Sequence, residues 1–170
     1  MAHRVFVLSP ASCAGERARL LIRTNADFPL ARRIRQPEGA PIGEVFSFLS
    51  GLYFRGKLAY ARTFSGPERV FVITPCRGLV SPEAMVTGRD IRAFAAVPID
   101  AGERRYRRPF ERDVRRLAES LSPGDEVVLL GSIATPKYID VLGPLLGERL
   151  RFPVEFAGRG DMSRGGLLLR

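Results

Sequence analysis

Short apolar runs that alternate with helical patterns constrain the fold of this chain more than any other feature. Residues 4–8 (RVFVL), 70–73 (VFVI) and 127–130 (VVLL) form such runs, and each is too short to be a helix. A strand that is apolar along its length is typical of a parallel sheet, where both faces are buried. The pattern therefore predicts an α/β fold, a three-layer Rossmann-like sandwich with a mainly parallel sheet of about five strands.

Two further strands complete the predicted sheet. One covers residues 94–99, where Pro98 requires an edge position or the end of the strand, and the other covers residues 152–156. Amphipathic spacing and capping residues such as Thr135 before Pro136 indicate the helices between the strands. The three clearest helices are predicted at residues 15–23, 109–121 and 136–147.

A long helix with a wide buried face is predicted to begin at Pro41. Apolar residues recur from there at steps of three and four as far as Ala59. Gly51 and Gly56 inside this pattern would each cost about 1 kcal/mol relative to alanine. They indicate either close packing on the sheet or a break between two shorter helices. Residues 25–40 are predicted to be irregular with one short helix, and residues 81–92 to hold one helical turn beginning at Ser81.

Length and composition indicate one domain that covers residues 1–170. No apolar run approaches the roughly 20 residues that span a bilayer, and the first residues lack the pattern of a signal peptide. We therefore expect a cytoplasmic protein without a membrane partner. Cys13 and Cys76 are too few for a disulfide framework. His3, the single histidine, lies beside the terminus, which argues against a Ser/His/Asp triad and a histidine metal site.

The formal net charge of +9 favours polyanionic partners, such as nucleic acid or phosphorylated ligands. Nearly all of the basic residues are arginines, since Lys57 and Lys137 are the only lysines. Such a bias, in a chain rich in Ala, Gly and Pro, is also typical of a genome's base composition. Both interpretations of the charge stay open.

The loops that follow the strands are where a parallel α/β sheet binds its ligands. Ser12 precedes the first helix, and Ser132, Thr135 and Lys137 lie at the start of another, where backbone N–H groups favour an anion. The alternative is that Ser12 and Thr135 only cap their own helices. Neither loop matches the P-loop or the dinucleotide fingerprint, so no cofactor is assigned.

Asp161 is the first candidate for a general base or a ligand-orienting carboxylate, because it lies in a glycine-rich loop between two arginines. Thr74 or Ser132 would assist it. Its competitors are Glu44, Asp100 and Asp140, and the alternative is a surface loop with local ion pairs. The residues predicted to bind a ligand or anion are Ser12, Arg77, Thr135, Lys137, Arg159 and Arg164, and the predicted catalytic residues are Asp161, Thr74 and Ser132.

Two other features allow both a functional and a structural interpretation. Cys13 and Cys76 each follow a predicted strand and could be reactive near Arg77, whereas buried cysteines are commonly inert packing residues. Residues 104–108 (RRYRR) combine an aromatic ring with arginines, which suits stacking on a nucleobase, whereas a solvated linker is the alternative.

One part of the chain resembles known proteins. Residues 51–61 (GLYFRGKLAYA), the strand 70–73 and the loop 78–82 (GLVSP) are similar to a family of uncharacterised bacterial and phage Rossmann-like α/β proteins. The strand and loop also resemble the uracil-DNA-glycosylase-like domain of archaeosine synthase, a tRNA-modifying enzyme that acts on a 7-deazaguanine base. The resemblance implies a base-handling pocket. It transfers no catalytic residue, because the water-activating motif and the His-Pro-Ser loop of uracil-DNA glycosylases are absent.

These observations predict a protein that binds a nucleobase or nucleotide, with nucleic-acid base modification or glycosidic transfer as the reaction class to test. One alternative is a noncatalytic nucleic-acid-binding module that uses the surface around residues 104–108. Another is a protein-interaction subunit with residues 167–169 as its apolar patch. No pattern in the sequence assigns a substrate, a metal or an oligomeric state.

Overall fold

The computed structural model describes residues 2–153, and this part of the chain forms an α/β fold around one mainly parallel sheet. The strands of that sheet are β1 (Arg4–Leu8), β3 (Val70–Ile73), β4 (Leu79–Val80), β6 (Glu126–Leu130) and β7 (Leu150–Arg151). Two short strands, β2 (Ala40–Pro41) and β5 (Met85–Val86), pair antiparallel with each other. The helices are α1 (Glu16–Ile22), α2 (Pro29–Arg35), α3 (Ile42–Ser50), α4 (Leu52–Phe64), α5 (Gly88–Ala95), α6 (Arg104–Ser120) and α7 (Pro136–Leu146).

The five-stranded sheet has the order β4-β3-β1-β6-β7. Strand β1 pairs in parallel with β3, where Phe6 lies opposite Val70, and in parallel with β6, where Phe6 lies opposite Val128. Only β4, which is antiparallel to β3, departs from the parallel arrangement. The predictions of strands at 4–8, 70–73 and 127–130 and of a mainly parallel sheet are confirmed.

Helices pack against both faces of the sheet because successive side chains of a strand point to opposite sides. Phe6 and Leu8 belong to a buried cluster with residues of α1, α2, α3, α4 and α5. Val5 and Val7 belong to a second cluster with residues of α6 and α7. This two-sided burial explains why the strands are apolar along their length.

Gly51 separates α3 from α4, so the chain breaks its long predicted helix into two. The φ angle of Gly51 is +66°, a conformation that residues with a Cβ rarely adopt, and its N–H donates to Ser47 O at 2.9 Å. Gly56 lies buried inside α4. Of the two interpretations of the glycines, the break therefore holds at Gly51.

The strand predicted at residues 94–99 is wrong. Residues 88–95 form helix α5, because Thr87 and Asp90 make reciprocal side-chain to backbone hydrogen bonds at its start and Ile91 and Phe94 face the core. The single helical turn predicted within residues 81–92 is a tight turn, in which Ala84 N–H donates to Ser81 O.

Two element boundaries also differ from the prediction. Helix α6 begins at Arg104 instead of residue 109, since Glu103 caps it and Pro109 is accommodated inside it. The last strand of the described chain, β7, is at Leu150–Arg151. The strand predicted at 152–156 extends beyond the described residues, and residues 152 and 153 are not part of a strand. Among residues 2–153, no helix is long and apolar enough to cross a membrane.

Candidate functional site

A cavity of about 580 Å³ lies at the carboxyl ends of the parallel strands. The loops after β1, β3 and β6 contribute to its wall, together with the first turn of α7 and the segment that follows α5. This is the position at which open α/β sheets bind ligands, and the volume is in the range of small-molecule sites. We call it the strand-end cavity; its wall includes Ser9, Ser12, Tyr53, Phe94, Ser132 and Lys137.

The wall of the strand-end cavity combines polar and apolar groups. Ser12, Ser132 and Lys137, three residues predicted to bind or act on a ligand, lie on it together. Phe94 and Val97 add apolar surface, and Tyr53 adds an aromatic ring. The sequence therefore identified three of its polar residues, because they directly follow strands, and missed most of its apolar ones.

Ser9 and Lys57 form a buried pair beside the cavity that the sequence analysis did not identify. Lys57 is 1 % exposed and Ser9 is 4 % exposed. Lys57 Nζ donates to Ser9 O at 2.8 Å and to Ser9 Oγ at 2.6 Å. The Lys57 ammonium position also lies 4.2 Å from the centre of the Tyr53 ring. A lysine in a chain whose basic residues are otherwise nearly all arginines is the sequence signal that could have indicated this site.

The absence of a side chain at Gly131 leaves room for the Ser9 side chain. A Cβ atom at residue 131 would lie 2.8 Å from Ser9 Cβ and 3.0 Å from Ser9 Oγ, which is closer than real contacts allow. Ser9 N–H donates to Leu130 O at 3.1 Å, so backbone pairing with β6 holds the same residue. The Ser9 side chain is therefore confined between Gly131 and Lys57.

Thr135 occupies the N-cap position of α7, as predicted, but its side chain makes no capping hydrogen bond. It is exposed and is not part of the cavity wall. Ser12 does not cap α1, because Gly15 is the N-cap residue there. The capping interpretation of Ser12 is therefore wrong, and the structure places Ser12 on the cavity instead.

Thr74 and Arg77 lie in the loop after β3 and are not among the cavity wall residues. Thr74 is fully buried, and its Oγ1 donates to Gly78 O at 2.9 Å while it accepts from Arg77 N–H at 2.8 Å. The Arg77 guanidinium lies 3.1 Å from Asp90 Oδ1. Both side chains thus have structural contacts within and beside this loop.

Asp161, Arg159 and Arg164 lie outside the described residues, so their predicted roles stay predictions. The competing carboxylates are not among the residues of the cavity wall. Glu44 pairs with Arg33 at 2.7 Å, Asp100 accepts from Gly102 N–H at 2.8 Å, and Asp140 is exposed.

The two cysteines have the properties of packing residues. Burial, together with the nearby Cys76, raises the pKa of the Cys13 thiol to about 12. Burial also raises the pKa of Cys76, although Arg77 acts in the opposite direction. Both thiols are therefore protonated near neutral pH, which favours the inert interpretation.

The segment 104–108 is neither a solvated linker nor a stacking platform. It forms the first turn of α6, and Tyr106 is fully buried. Its hydroxyl donates to Lys137 O at 2.7 Å, and its ring packs beside Phe110. Arg105 and Arg107 pair with Glu103 and Glu111. The buried ring cannot stack on a base, so that interpretation is wrong.

A second cavity, of about 590 Å³, brings together three arginines that the sequence analysis did not group. Arg35, Arg89 and Arg92 line it with Thr87, the N-cap residue of α5. Arg35 donates to Ala26 O at 2.6 Å, and Arg92 donates to Ile22 O at 3.4 Å. No Asp or Glu is among the lining residues, so the wall of this cavity carries a net positive charge.

Within residues 2–153, no group of three or more His, Cys, Asp or Glu side chains is arranged to hold a metal ion. No known protein-family model matches the chain, and neither a curated protein nor a solved structure matches it significantly.

Proposed function

We propose that the strand-end cavity binds a nucleobase or nucleotide, within a three-layer Rossmann-like sandwich. The observation that carries the proposal is that three strand-end loops and the first turn of α7 enclose one cavity with aromatic and apolar surface on its wall and a cationic side chain, Lys137. A nucleotide needs both kinds of surface, because its base is a flat ring and its phosphate is an anion.

Individual residues take distinct parts in this proposal. Tyr53 and Phe94 offer ring faces or edges to the base. Lys137 and the hydroxyls of Ser12 and Ser132 bind the phosphate, beside the N-terminus of the 11-residue helix α7. The resemblance of residues 51–61, 70–73 and 78–82 to a base-handling domain supports the same ligand class. Base modification or glycosidic transfer stays a prediction.

Calorimetric titration with adenosine, AMP and the other nucleoside monophosphates tests this function. We expect a mononucleotide to bind, and Lys137→Gln to weaken that binding roughly 10- to 100-fold, since a charged hydrogen bond contributes about 1.5–3 kcal/mol. Binding of the uncharged nucleoside should change little in the same variant.

Arg116→Gln is the matched control, because it also removes one positive charge but lies on α6, away from the strand-end cavity. It should bind the mononucleotide as the parent does. Absence of binding by all nucleosides and nucleotides, or equal affinities of Lys137→Gln and the parent, would contradict the proposal.

A noncatalytic nucleic-acid-binding role is the second candidate, and one observation favours it. The cavity lined by Arg35, Arg89 and Arg92 places three guanidinium groups around one opening. Guanidinium groups bind phosphates through paired hydrogen bonds. This surface replaces residues 104–108 as the candidate for contacts with a nucleic-acid backbone.

A further inference from the structure

We propose that Ser9 is a nucleophile and Lys57 its general base, so that the protein carries a serine acyl-transfer site for carboxylic esters. The pair stands at the carboxyl end of the central strand β1, and Ser9 is part of the wall of the strand-end cavity. The proposal uses that cavity but does not depend on nucleotide binding.

The geometry of the pair is that of an activated hydroxyl. Lys57 Nζ is 2.6 Å from Ser9 Oγ, within the reach needed for proton transfer. One amine hydrogen is directed to Ser9 O at 2.8 Å, which orients the nitrogen. With the amine uncharged, its lone pair can accept the hydroxyl proton along the same short contact. Ser9 is on the wall of the cavity and Lys57 is not, so the nucleophile is the member of the pair that a substrate in the cavity would meet.

Burial is the second argument. Lys57 is almost fully buried, whereas lysine side chains are rarely so. Burying a lysine is costly to stability, since its amine group loses its contact with water. A buried lysine beside a nucleophile is therefore more readily explained by chemistry than by stability.

The distribution of the lysines is independent of this geometry. Only two of the 27 basic residues are lysines. Lys57 contacts Ser9, which is on the wall of the strand-end cavity, and Lys137 is on that wall itself. Arginine is always protonated and cannot act as a base, whereas a buried lysine can. At Lys57, a chain that otherwise uses arginine thus has an amine where it could do what a guanidinium cannot.

The reaction balances with water as the second reactant. Ser9 Oγ forms a bond to the ester carbonyl carbon as its proton moves to Lys57 Nζ, and the carbonyl π electrons move onto oxygen. Collapse breaks the bond to the alkoxy group, which leaves with the proton from Lys57. Water then adds to the acyl carbon, giving one proton to Nζ. The bond to Oγ breaks, and that proton returns to Ser9. Pro10 has no backbone N–H, so the anionic oxygen would be bound by Ser12, Ser132 or Lys137.

Covalent labelling with an alkyl fluorophosphonate tests the proposal on the full chain. The probe needs only the nucleophile and base, since Oγ displaces fluoride from phosphorus as the Oγ proton passes to Lys57. Intact mass and peptide mapping should find one adduct, on Ser9. Ser9→Ala should abolish it, whereas Ser120→Ala, a serine variant on α6 away from the strand-end cavity, should be labelled on Ser9 as fully as the parent.

Two substitutions of the base separate catalysis from structure. Lys57→Met keeps the length of the side chain, and Lys57→Arg keeps its charge and donors without a usable base. Both should slow labelling about 100-fold or more, the usual contribution of a general base. If neither variant retains the parent's circular dichroism and cooperative melting, the test is the site of labelling in the parent alone. An adduct on Ser9 supports the assignment, and an adduct elsewhere contradicts it.

No adduct, an adduct on another residue, or undiminished labelling of a folded Lys57→Arg variant would overturn the assignment. Added AMP distinguishes this proposal from nucleotide binding. Labelling that AMP does not slow supports the Ser9–Lys57 pair and counts against nucleotide binding at this cavity. Nucleotide binding without labelling would support the proposed function and would overturn the assignment of Ser9 and Lys57.

Discussion

Single side chains connect the elements that form the strand-end cavity. Tyr106 on α6 donates its hydroxyl to Lys137 O, in the first turn of α7, at 2.7 Å. Lys57 on α4 binds the end of β1 in the same way, through Ser9 O. Both contacts join a helix to a loop or turn of the cavity, on opposite faces of the sheet. The site is thus positioned by hydrogen bonds as well as by apolar packing.

Tyr106→Phe should lower the free energy of unfolding by about 1 kcal/mol near neutral pH, because it removes one buried hydrogen bond and leaves the ring in place. Burial raises the pKa of Tyr106, and the neighbouring Tyr138 raises it further. The neutral hydroxyl therefore stabilises the folded state fully below the pKa of an exposed tyrosine, about 10, and this contribution is lost as the pH rises above it.

Urea denaturation of the parent and of Tyr106→Phe measures this effect. The difference in unfolding free energy should be constant between about pH 6 and pH 9 and should shrink above about pH 10. Equal stabilities at pH 7 would show that the hydroxyl contributes nothing.

At the residue level, the sequence was informative where a residue's role follows from its place after a strand. Ser12, Ser132 and Lys137 were found because strand ends could be predicted from apolar runs. Lys57 was not found, because it belongs to a helix and meets Ser9 through a contact between residues 48 positions apart. Tyr106 was misinterpreted for a related reason, since local charge density did not reveal that its ring faces the core.

The elements of the fold depend on local signals of unequal strength. The strands β1, β3 and β6 contain apolar runs that are too short for a helix and therefore indicate strands, and they were predicted correctly. Residues 94–99 have apolar content that suits a strand, but the reciprocal capping at Thr87 and Asp90 commits the preceding segment to helix α5. Two-residue strands such as β4 depend on tertiary pairing and leave no periodic pattern.

The junction between α3 and α4 gives a prediction at this scale. Gly51→Ala should destabilise the protein by about 1–3 kcal/mol, because φ at this residue is +66° and ψ is −127°, a region that disfavours a Cβ. The surroundings leave open space for a methyl group, so the cost would come from the backbone alone. The loss is measured as a lower urea midpoint with an unchanged slope.

Gly88→Ala is the matched control for this prediction. Gly88 is the first residue of α5, has a negative φ, and an added Cβ would come no closer than 3.5 Å to its neighbours. The same substitution there should be neutral or stabilise by up to about 1 kcal/mol. Equal changes in stability for Gly51→Ala and Gly88→Ala would show that the backbone conformation at Gly51 does not disfavour a Cβ atom.

The whole molecule carries a net charge of +9, which affects every test with an anionic ligand. Many of the arginines are engaged in ion pairs, such as Arg62 with Glu83 and Arg115 with Glu111. Arg35, Arg89 and Arg92 instead line one cavity, on the sheet face covered by α1 to α5. The charge can therefore attract a polyanion to this surface without involving the strand-end cavity.

Salt dependence separates the two modes of binding. A ligand that contacts several phosphates loses affinity with a logarithmic slope of about −0.7 per phosphate on single strands. We expect a single-stranded oligonucleotide to lose at least about tenfold in affinity between about 50 and 200 mM salt. A mononucleotide held by Lys137 in the strand-end cavity should lose about fourfold or less, because it has one phosphate group.

Arg89→Gln combined with Arg92→Gln tests where the oligonucleotide binds. If these side chains contact phosphates, the double variant should bind the oligonucleotide more weakly and with a slope reduced by about 1.4. Its affinity for the mononucleotide should equal that of the parent, since neither arginine is on the strand-end cavity. The mononucleotide's affinity could instead fall with salt as steeply as that of the oligonucleotide, and the double variant could bind it more weakly than the parent. These two results together would show that surface charge holds the mononucleotide. The proposal that the strand-end cavity binds a nucleotide would then be contradicted. The labelling of Ser9 would be unaffected, because that reaction depends on Lys57 and not on the charge of the ligand.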